Sequence, residues 1–234
     1  MATEVPLSGG AAGVRHYYAA VGNKEAKLAT LLELLQTLQV VSRRPFAIIC
    51  SARDTLDSVI FTLMRSRSFA VTAIHSDLTE KERELALTNF RRSAFETPAP
   101  APNGASDATA ASEKEGAPES EGAERGFAGG QEQQGAGEQP VCVLAITDVC
   151  LKALPKELLP LGLGVLVEFD LPPSKEVYTR RISTLFGGGR DRRSQRCVVV
   201  DMVEAGSIAA FRLLESFVAG QVQEVPVRVG DIFL

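Results

Sequence analysis

Apolar residues along this chain fall into two kinds of run that alternate with each other. Short continuous apolar runs are typical of buried strands, and longer stretches whose apolar residues recur every three or four positions predict helices. Five short runs are present: FAIIC (46–50), AVTAI (70–74), VCVLA (141–145), VLVEF (165–169) and CVVVDM (197–202). Because helical stretches lie between or after these runs, the pattern predicts an α/β fold in which helices cover both faces of a parallel sheet.

Five helical stretches accompany the predicted strands. Thr79 and Glu82 form a T-x-x-E capping box, which predicts the start of the third helix. Two further helices are predicted from Ser174 and from Ser207. The apolar residues that define the first two helices are Leu28, Leu31, Leu32, Leu35, Leu38, Leu56, Ile60 and Leu63.

One segment interrupts this regular pattern. Residues 94–140 are rich in Ala, Gly, Pro, Ser, Gln and Glu, and their bulky apolar residues are Phe95 and Phe127. The segment holds nine acids and two bases, which give it a net charge of −7. Because the whole chain has a net charge of −4, the residues outside the segment carry +3. It cannot bury enough apolar surface to offset the entropy of ordering, which predicts a disordered acidic insertion. A solvated linker and a regulatory tail that mimics nucleic acid are both open interpretations.

The predicted organisation is a flexible N-terminus (1–14), one domain formed by 15–93 and 141–234, and the insertion (94–140).

Composition narrows the class of protein. The chain has 234 residues, 45% of them hydrophobic, which is enough for one well-buried domain. Its apolar runs are too short or too interrupted for a membrane helix, and MATEVPLSGG lacks the features of a secretory signal, so we expect a cytoplasmic or nuclear protein without a membrane partner. The four cysteines are widely spaced and only two histidines are present, so neither a zinc site nor a disulfide framework is expected.

Polar residues that directly follow the predicted strands are the candidates for function. In a parallel sheet the carboxyl ends of the strands share one edge, where ligands gather. Such residues could bind an anionic polymer or a nucleotide, or could simply cap helices. The chain has no GxxxxGK[ST] loop and no GxGxxG, so nucleotide binding by the chain alone is not expected. The candidates are Ser51, Ala52, Arg53, His75, Ser76, Asp77, Thr147, Asp148 and Asp170.

Four segments in a fixed order are more specific than any one motif. They read FAIICSARDTLDSV, IHSDLTEKERELALTNFRRS, VLAITDVCLKAL and VEFDLPPSKEVYTRRI. This series resembles the C-terminal RecA-like domain of DEAD-box ATP-dependent RNA helicases, in their translation-initiation branch. VRHYYAAVGNKEAKLATLLELL and VPVRVGDIFL resemble the two ends of that domain. The resemblance implies a RecA-like sheet that the acidic insertion interrupts.

The resemblance also implies a set of residues that contact RNA phosphates. The sequence departs from the family at HSD, which replaces HGD, and at Glu80, which replaces a glutamine and would repel phosphate. Ordinary structural roles remain open, with Arg83 as a surface residue and Thr147 as a helix cap. The implied RNA-binding residues are Arg53, Ser76, Arg83 and Thr147, with Asp148 in support.

The ATP-binding motifs of the family are degenerate in this sequence. In the family's HRIGRxGR motif, two arginines stabilise charge on the transferred phosphoryl group, an effect of about 10³ to 10⁵ in rate. The segment RRISTLFG matches this motif, with Arg181 on its first arginine and Thr184 and Gly187 on the two finger arginines. A shifted register would bring Arg190 or Arg192 to the phosphate instead. The family's ARGLD corresponds to LKALP, which leaves Lys152 for the arginine and Pro155 for the aspartate.

Three functions from different classes follow from these observations. The first is a non-catalytic module that binds single-stranded RNA weakly and without sequence preference, beside another RNA-binding or helicase-family protein. The second is one half of a split RNA helicase, completed in trans. The third is a protein–protein adaptor that binds no RNA. No cofactor is expected for the chain alone, and ATP is expected only if a partner domain completes the site.

Overall fold

A computed structural model describes residues 13–95, 140–187, 196–218 and 221–234. The central element is a sheet of seven strands, and every pair of neighbouring strands is parallel. The strands are β1 (Val14–Val21), β2 (Phe46–Cys50), β3 (Phe69–Ile74), β4 (Val141–Thr147), β5 (Val165–Glu168), β6 (Cys197–Glu204) and β7 (Gln223–Glu224), in the spatial order β3-β4-β2-β5-β6-β1-β7.

Helices connect the strands and cover both faces of the sheet, which confirms the predicted α/β, RecA-like class. They are α1 (Lys24–Val41), α2 (Arg53–Ser66), α3 (Glu80–Phe95), α4 (Asp148–Lys152), α5 (Lys175–Leu185) and α6 (Ile208–Phe217), with 3₁₀ turns at Lys156–Leu158 and Val229–Phe233. The short helix α4 was not expected from the sequence. None of the helices in the described part of the chain is both long and apolar enough to cross a lipid bilayer.

The alternation of side chains along each strand divides the core into two layers. On β2, Phe46, Ile48 and Cys50 pack with the leucines of α1 and α2 on one face, whereas Ala47 and Ile49 pack with α3 and α5 on the other. Both faces of β2 are fully buried, so its sequence is a continuous apolar run rather than an alternating one.

Local signals place the helix starts where the sequence predicts them. The Thr79 backbone N–H donates to the Glu82 carboxylate (2.7 Å), and the Glu82 backbone N–H lies 3.4 Å from Thr79 Oγ1, as a capping box requires. The Ser174 hydroxyl caps α5 by accepting from the Val177 N–H (3.3 Å). Ser207 precedes α6 but makes no side-chain capping bond.

Two strands lie outside the five predicted ones. β1 pairs with β6 over eight residues, and the two-residue β7 pairs with β1. β1 has the sequence VRHYYAAV, whose Arg15 and His16 interrupt the apolar pattern. It begins at Val14, the last residue of the segment predicted to be flexible. The predicted insertion starts within α3, at Ala94 and Phe95, and its residues 96–139 lie outside the described part of the chain.

Candidate nucleic-acid interface

The topology brings the predicted polar loops together at the carboxyl edge of the sheet. Strands β3, β4, β2 and β5 are consecutive in space, so the residues that follow them lie along one rim, which we call the carboxyl rim. Its members are Ser51 to Arg53 after β2, His75 to Asp77 after β3, Thr147 and Asp148 after β4, and Asp170 after β5.

Arg53 lies in the first turn of α2 and is held by two acids. Its Nε donates to the Asp57 carboxylate (2.9 Å), and its Nη1 lies 3.3 Å from Asp77 Oδ2. The hydrogen bond to Asp57 raises the pKa of Arg53 further, and the charges of Asp57 and Asp77 add to it. About a third of the side chain is exposed (34%). A phosphate that binds Arg53 would therefore compete with the two carboxylates.

The loop after β3 is organised around Asp77. The Ser76 hydroxyl donates to Asp77 Oδ1 (3.2 Å), and His75 Nδ1 lies 3.7 Å from Asp77 Oδ2. Asp77 itself is 69% exposed. The structure thus joins the predicted residues Arg53 and Ser76 in one cluster, but an exposed carboxylate stands at its centre.

Arg83 is the other predicted cation of this region, and we count it as a further member of the carboxyl rim because it lies in the first turn of α3, the helix that follows β3. Its Nε is shielded from solvent and makes no hydrogen bond, and among the described residues its guanidinium forms no ion pair. Glu80, the residue expected to repel phosphate, is exposed in the first turn of the same helix. Of the two predicted arginines, Arg83 is therefore the one whose charge no described acid neutralises.

Thr147 and Asp148 join the carboxyl rim to the interior. Thr147 ends β4 and is almost completely buried, without a side-chain capping bond to α4. Asp148 accepts two hydrogen bonds from Arg181, from Nε (2.8 Å) and from Nη2 (2.7 Å). Asp148 therefore fixes Arg181, which makes its contribution to a phosphate site indirect.

Arg181 belongs to a chain of buried ionisable groups that we call the buried network, formed by His16, Asp148, Glu168, Tyr178, Arg181 and Asp201. The guanidinium is fully buried, donates to the Asp170 carbonyl (2.8 Å) and has Nη1 3.3 Å from Glu168 Oε1. Burial lowers the pKa of Arg181, but Glu168 and Asp148 raise it by more, so the group remains charged. Because it is fully buried, the Arg181 side chain contributes no charge to the surface of the domain.

Two acids of the buried network, Glu168 and Asp201, have pKa values shifted upward. Glu168 and Asp201 are register partners on β5 and β6, and both are fully buried. Burial raises the pKa of Glu168 well above its usual range and the pKa of Asp201 to about 7. Asp201 Oδ2 lies 3.3 Å from His16 Nδ1, and the Tyr178 hydroxyl lies 3.1 Å from His16 Nε2. Burial lowers the pKa of His16 to about 4, so the ring is neutral at pH 7.

The positions that correspond to the family's ATP-binding motifs lie in or just after α4 and α5. Thr184 and Gly187 are buried, and the Thr184 carbonyl accepts from the Leu161 N–H (3.0 Å). Lys152 is exposed at the end of α4, and Pro155 precedes the 3₁₀ turn. Arg190 and Arg192 lie outside the described residues. Within the described ranges, no group of His, Cys, Asp and Glu side chains is arranged to hold a metal ion.

Sequence reasoning included Ser51 and Asp170 among its candidates but passed over Lys27, Glu168 and Asp201. Asp170 Oδ2 accepts from both the backbone N–H and the hydroxyl of Ser51 (2.8 Å each), which ties β5 to the loop after β2. Lys27 of α1 is buried, with Nζ 3.7 Å from Asp170 Oδ1 and 4.6 Å from the centre of the Phe169 ring. The sequence did contain a signal for two of these residues, since Glu168 lies inside the apolar run VLVEF and Asp201 inside CVVVDM. An acid in a buried strand needs a buried partner.

No protein-family model matches the chain. It is 25% identical over 94% of its length to the eukaryotic initiation factor 4A-III homolog B of Oryza sativa subsp. japonica, and 25% identical over 94% to the ATP-dependent RNA helicase eIF4A of Neurospora crassa. It spans about two fifths of the length of these relatives (40% and 41%).

Solved structures give the same result at the level of the fold. The chain resembles the C-terminal domain of the DEAD-box protein Dbp5 with a TM-score of 0.59 and 16% identity, covering 94% of this chain and 97% of that one. It resembles the E. coli DEAD-box protein SrmB, solved with the regulator RraA, with a TM-score of 0.58 and 14% identity, over 92% of this chain and 91% of that one. The chain is therefore a homologue of the DEAD-box RNA helicases and corresponds to their C-terminal RecA-like domain.

Proposed function

We propose that this chain is a non-catalytic RNA-binding module that holds single-stranded RNA by its backbone phosphates along the carboxyl rim. The observation that carries the proposal is Arg83, whose guanidinium has no described acidic partner although its Nε is shielded from solvent. A cation in this setting gains a hydrogen bond and an ion pair when a phosphate binds. Arg53 and the Ser76 loop supply further phosphate contacts on the same rim.

The relatives support RNA as the ligand. The yeast Dbp5 protein has been solved with RNA and ADP BeF3, and the chain matches that structure with a TM-score of 0.62 and 16% identity, over 99% of this chain and 47% of that one. The curated relatives are named as RNA helicases and initiation factors. Phosphate contacts are independent of base sequence, so binding without sequence preference is expected.

The same geometry argues against catalysis by this chain. Thr184 and Gly187, at the positions of the finger arginines, carry no charge and are buried. Arg181 is occupied by Asp148 and Glu168, so it is not available to a nucleotide. ATP would bind only if a partner domain completed the site.

Binding is expected to be weak. Asp57 and Asp77 compete for Arg53, and Glu80 adds a negative charge to the start of α3. None of the predicted RNA contacts is aromatic, so stacking, which contributes about 1–3 kcal/mol per base, is not available from them. We therefore expect the module to act beside another RNA-binding or helicase-family protein.

Fluorescence anisotropy with a labelled single-stranded RNA, titrated at several salt concentrations, tests the proposal. The chain should bind with an affinity that falls as salt rises, and Arg53→Ala with Arg83→Ala should weaken binding and reduce the salt dependence by about two contacts. Asp77→Asn should strengthen binding because it frees Arg53 from one competing carboxylate. Arg212→Ala, an exposed arginine on α6, is the matched control and should leave affinity unchanged.

Three outcomes would contradict the proposal. The first is a double variant that keeps its circular dichroism spectrum and binds RNA as tightly as the parent. The second is RNA-stimulated ATP turnover by the purified chain. The third is turnover that arises when a helicase first domain is added, which would favour the split helicase.

A second candidate function, a protein-binding adaptor, is favoured by the outer face of α2. Phe61 and Met64 lie one turn apart on this helix and are 68% and 64% exposed. SrmB has been solved with RraA, and the Dbp5 C-terminal domain with Gle1. A pull-down from nuclease-treated extract tests this function. It would be supported by a protein that binds the parent chain but not the double variant Phe61→Ser with Met64→Ser.

A further inference from the structure

A cavity of about 600 Å³ lies at the amino edge of the sheet, at the opposite ends of the strands from the carboxyl rim. Three of its lining residues are arginines from separate parts of the fold. Arg43 and Arg44 lie just before β2, separated from it by Pro45, and Arg196 directly precedes β6. The described lining residues are Val41, Ser42, Arg43, Arg44, Arg196 and Phe233. We call this cavity the arginine pocket.

The backbone around the arginine pocket fits the Arg44 side chain. A Cβ atom added at Gly164 would lie 2.9 Å from Arg44 Cδ and 3.3 Å from its Nη1. The absence of a side chain at Gly164 therefore lets Arg44 lie against the start of β5. Arg43, Arg44 and Gly164 also line a second cavity of about 360 Å³, so the arginine pair faces two neighbouring openings.

Arg196 is held by the C-terminal segment. Its Nη1 donates to the Phe233 carbonyl (2.9 Å), which fixes the guanidinium at the rim of the pocket. Its backbone is left-handed, with φ of 50°, a conformation that is strained for a residue with a side chain. Strain of this kind persists where the surrounding structure fixes the residue. The three cations are thus placed by tertiary structure and do not follow from a run of basic sequence.

We infer that the arginine pocket is a second anion site, which takes a small phosphorylated molecule with two or more phosphate groups. Guanidinium groups form two parallel hydrogen bonds with phosphate oxygens, and a polyanion among three of them gains attraction from all three. The cavity volume falls in the range of small-molecule sites, about 300–1,000 Å³. Val41 and Phe233 supply an apolar wall beside the charges.

The arginine pocket is independent of the proposed RNA track. Arg53 and Arg83 lie at the carboxyl ends of the strands, whereas Arg44 and Arg196 lie at the amino ends of β2 and β6. If the experiments contradict one of the two sites, the other can therefore still be tested. Arg53→Ala with Arg83→Ala should reduce RNA binding and leave the pocket unchanged, and Arg44→Gln should do the reverse.

Isothermal titration of the full chain with sodium tripolyphosphate, against sodium sulfate at equal ionic strength, tests the inference. We expect saturable binding near one equivalent of tripolyphosphate, and little heat from sulfate. Arg44→Gln and Arg196→Gln should each weaken binding about tenfold or more, as expected for the loss of charge-assisted hydrogen bonds. Arg212→Gln removes the same charge from an exposed site on α6 and should have no effect.

Gly164→Ala separates a built site from diffuse attraction to positive charge. This variant keeps every charge but displaces Arg44, because the new Cβ would overlap its Cδ. It should weaken tripolyphosphate binding while the far-ultraviolet circular dichroism stays unchanged. If Arg196→Gln fails to fold, Gly164→Ala and Arg44→Gln still decide the question.

The inference is overturned if tripolyphosphate binds no better than sulfate, or if Gly164→Ala and Arg44→Gln bind it as the parent does. It is also overturned if Arg212→Gln weakens binding as much as Arg44→Gln, because the attraction would then be diffuse. If the parent does not bind tripolyphosphate but Arg44→Gln binds RNA more weakly than the parent, the pocket would instead be assigned to RNA.

Discussion

Individual ionisable side chains inside this fold contact one another rather than solvent. Arg181 contacts Asp148 and Glu168, and the neutral His16 contacts Asp201. Removing a partner of Arg181 would leave its buried charge less compensated, which costs about 3–5 kcal/mol. The buried network therefore maintains the conformation of α4 and α5 beneath the carboxyl rim.

A prediction at this scale concerns Asp201. Its folded pKa of about 7 lies above the usual 3.8, so the stability that its neutral form contributes is complete below about pH 4 and is lost as pH rises to 7. Asp201→Asn stays neutral, so its free energy of unfolding should exceed that of the parent increasingly between pH 4 and pH 7. Urea denaturation across this range measures the difference.

The opposite trend of His16 does not obscure this result. Its folded pKa of about 4 lies below 6.5, so the stability that it contributes is lost as pH falls from 6.5 towards 4, in parent and variant alike. Asp231→Asn changes an exposed acid outside the buried network and serves as the control. A constant difference between Asp201→Asn and the parent would show that Asp201 is not the titrating group.

At the scale of elements, α5 differs most from the role that its sequence suggests. The family motif would direct two arginines from this region towards a nucleotide, yet Thr184 is buried and Leu185 packs into the core. Backbone N–H groups of Leu161 and Leu163 donate to the carbonyls of Thr184 and Leu185 (3.0 and 2.9 Å). The end of α5 is thus a packing element, which explains why no charge remains there.

Restoring an arginine at Thr184 should therefore destabilise the chain rather than create activity. Thr184→Arg buries an unpaired charge and should lower the free energy of unfolding by about 3 kcal/mol or more. Thr179→Arg, an exposed threonine of the same helix, is the matched control and should change stability by less than about 0.5 kcal/mol. If chemical denaturation gives equal stability for the two variants, position 184 is open to solvent and the catalytic alternative regains support.

At the scale of the whole molecule, the two edges of one sheet have different chemistry. The carboxyl rim combines Arg53 and Arg83 with several acids, whereas the amino edge carries the arginine pocket. Because all strands are parallel, residues that directly precede a strand lie at the amino edge of the sheet, and residues that directly follow a strand lie at the carboxyl edge. A single domain can in this way hold two anion sites that do not interfere.

The acidic segment gives a prediction at the same scale. Residues 97–139 carry eight acids and two bases, so their replacement by a short Gly/Ser linker removes a net charge of −6. Since all the helices and strands of the described residues lie outside this segment, the melting temperature should change by only a few degrees. RNA binding at low salt should become tighter because repulsion of the phosphate backbone decreases.

A second variant separates charge from length. Replacing the eight acids with Gln or Asn keeps the segment and should also tighten RNA binding. A drop of many degrees in the melting temperature of the linker variant would show that the segment is part of the folded domain. Equal RNA affinity in all three proteins would remove the electrostatic role.

The sequence alone determined the class of fold and much of its layout. The five predicted strands begin within one residue of the observed ones, and the T-x-x-E signal gave the start of α3. These features depend on interactions between near neighbours in the chain, so a local pattern is sufficient to predict them. The carboxyl rim was also predictable, because the ends of parallel strands must share an edge.

Tertiary structure alone decided which charges meet. His16, Glu168 and Asp201 come from three strands that are distant in sequence, and their contact required β1 to pair with β6, which the apolar pattern did not show. The burial of Arg181 and Thr184, and the placing of Arg44 and Arg196 around one cavity, depend in the same way on packing. An acid inside an apolar run signals that a buried partner is needed, but which residue becomes that partner is a property of the assembled core.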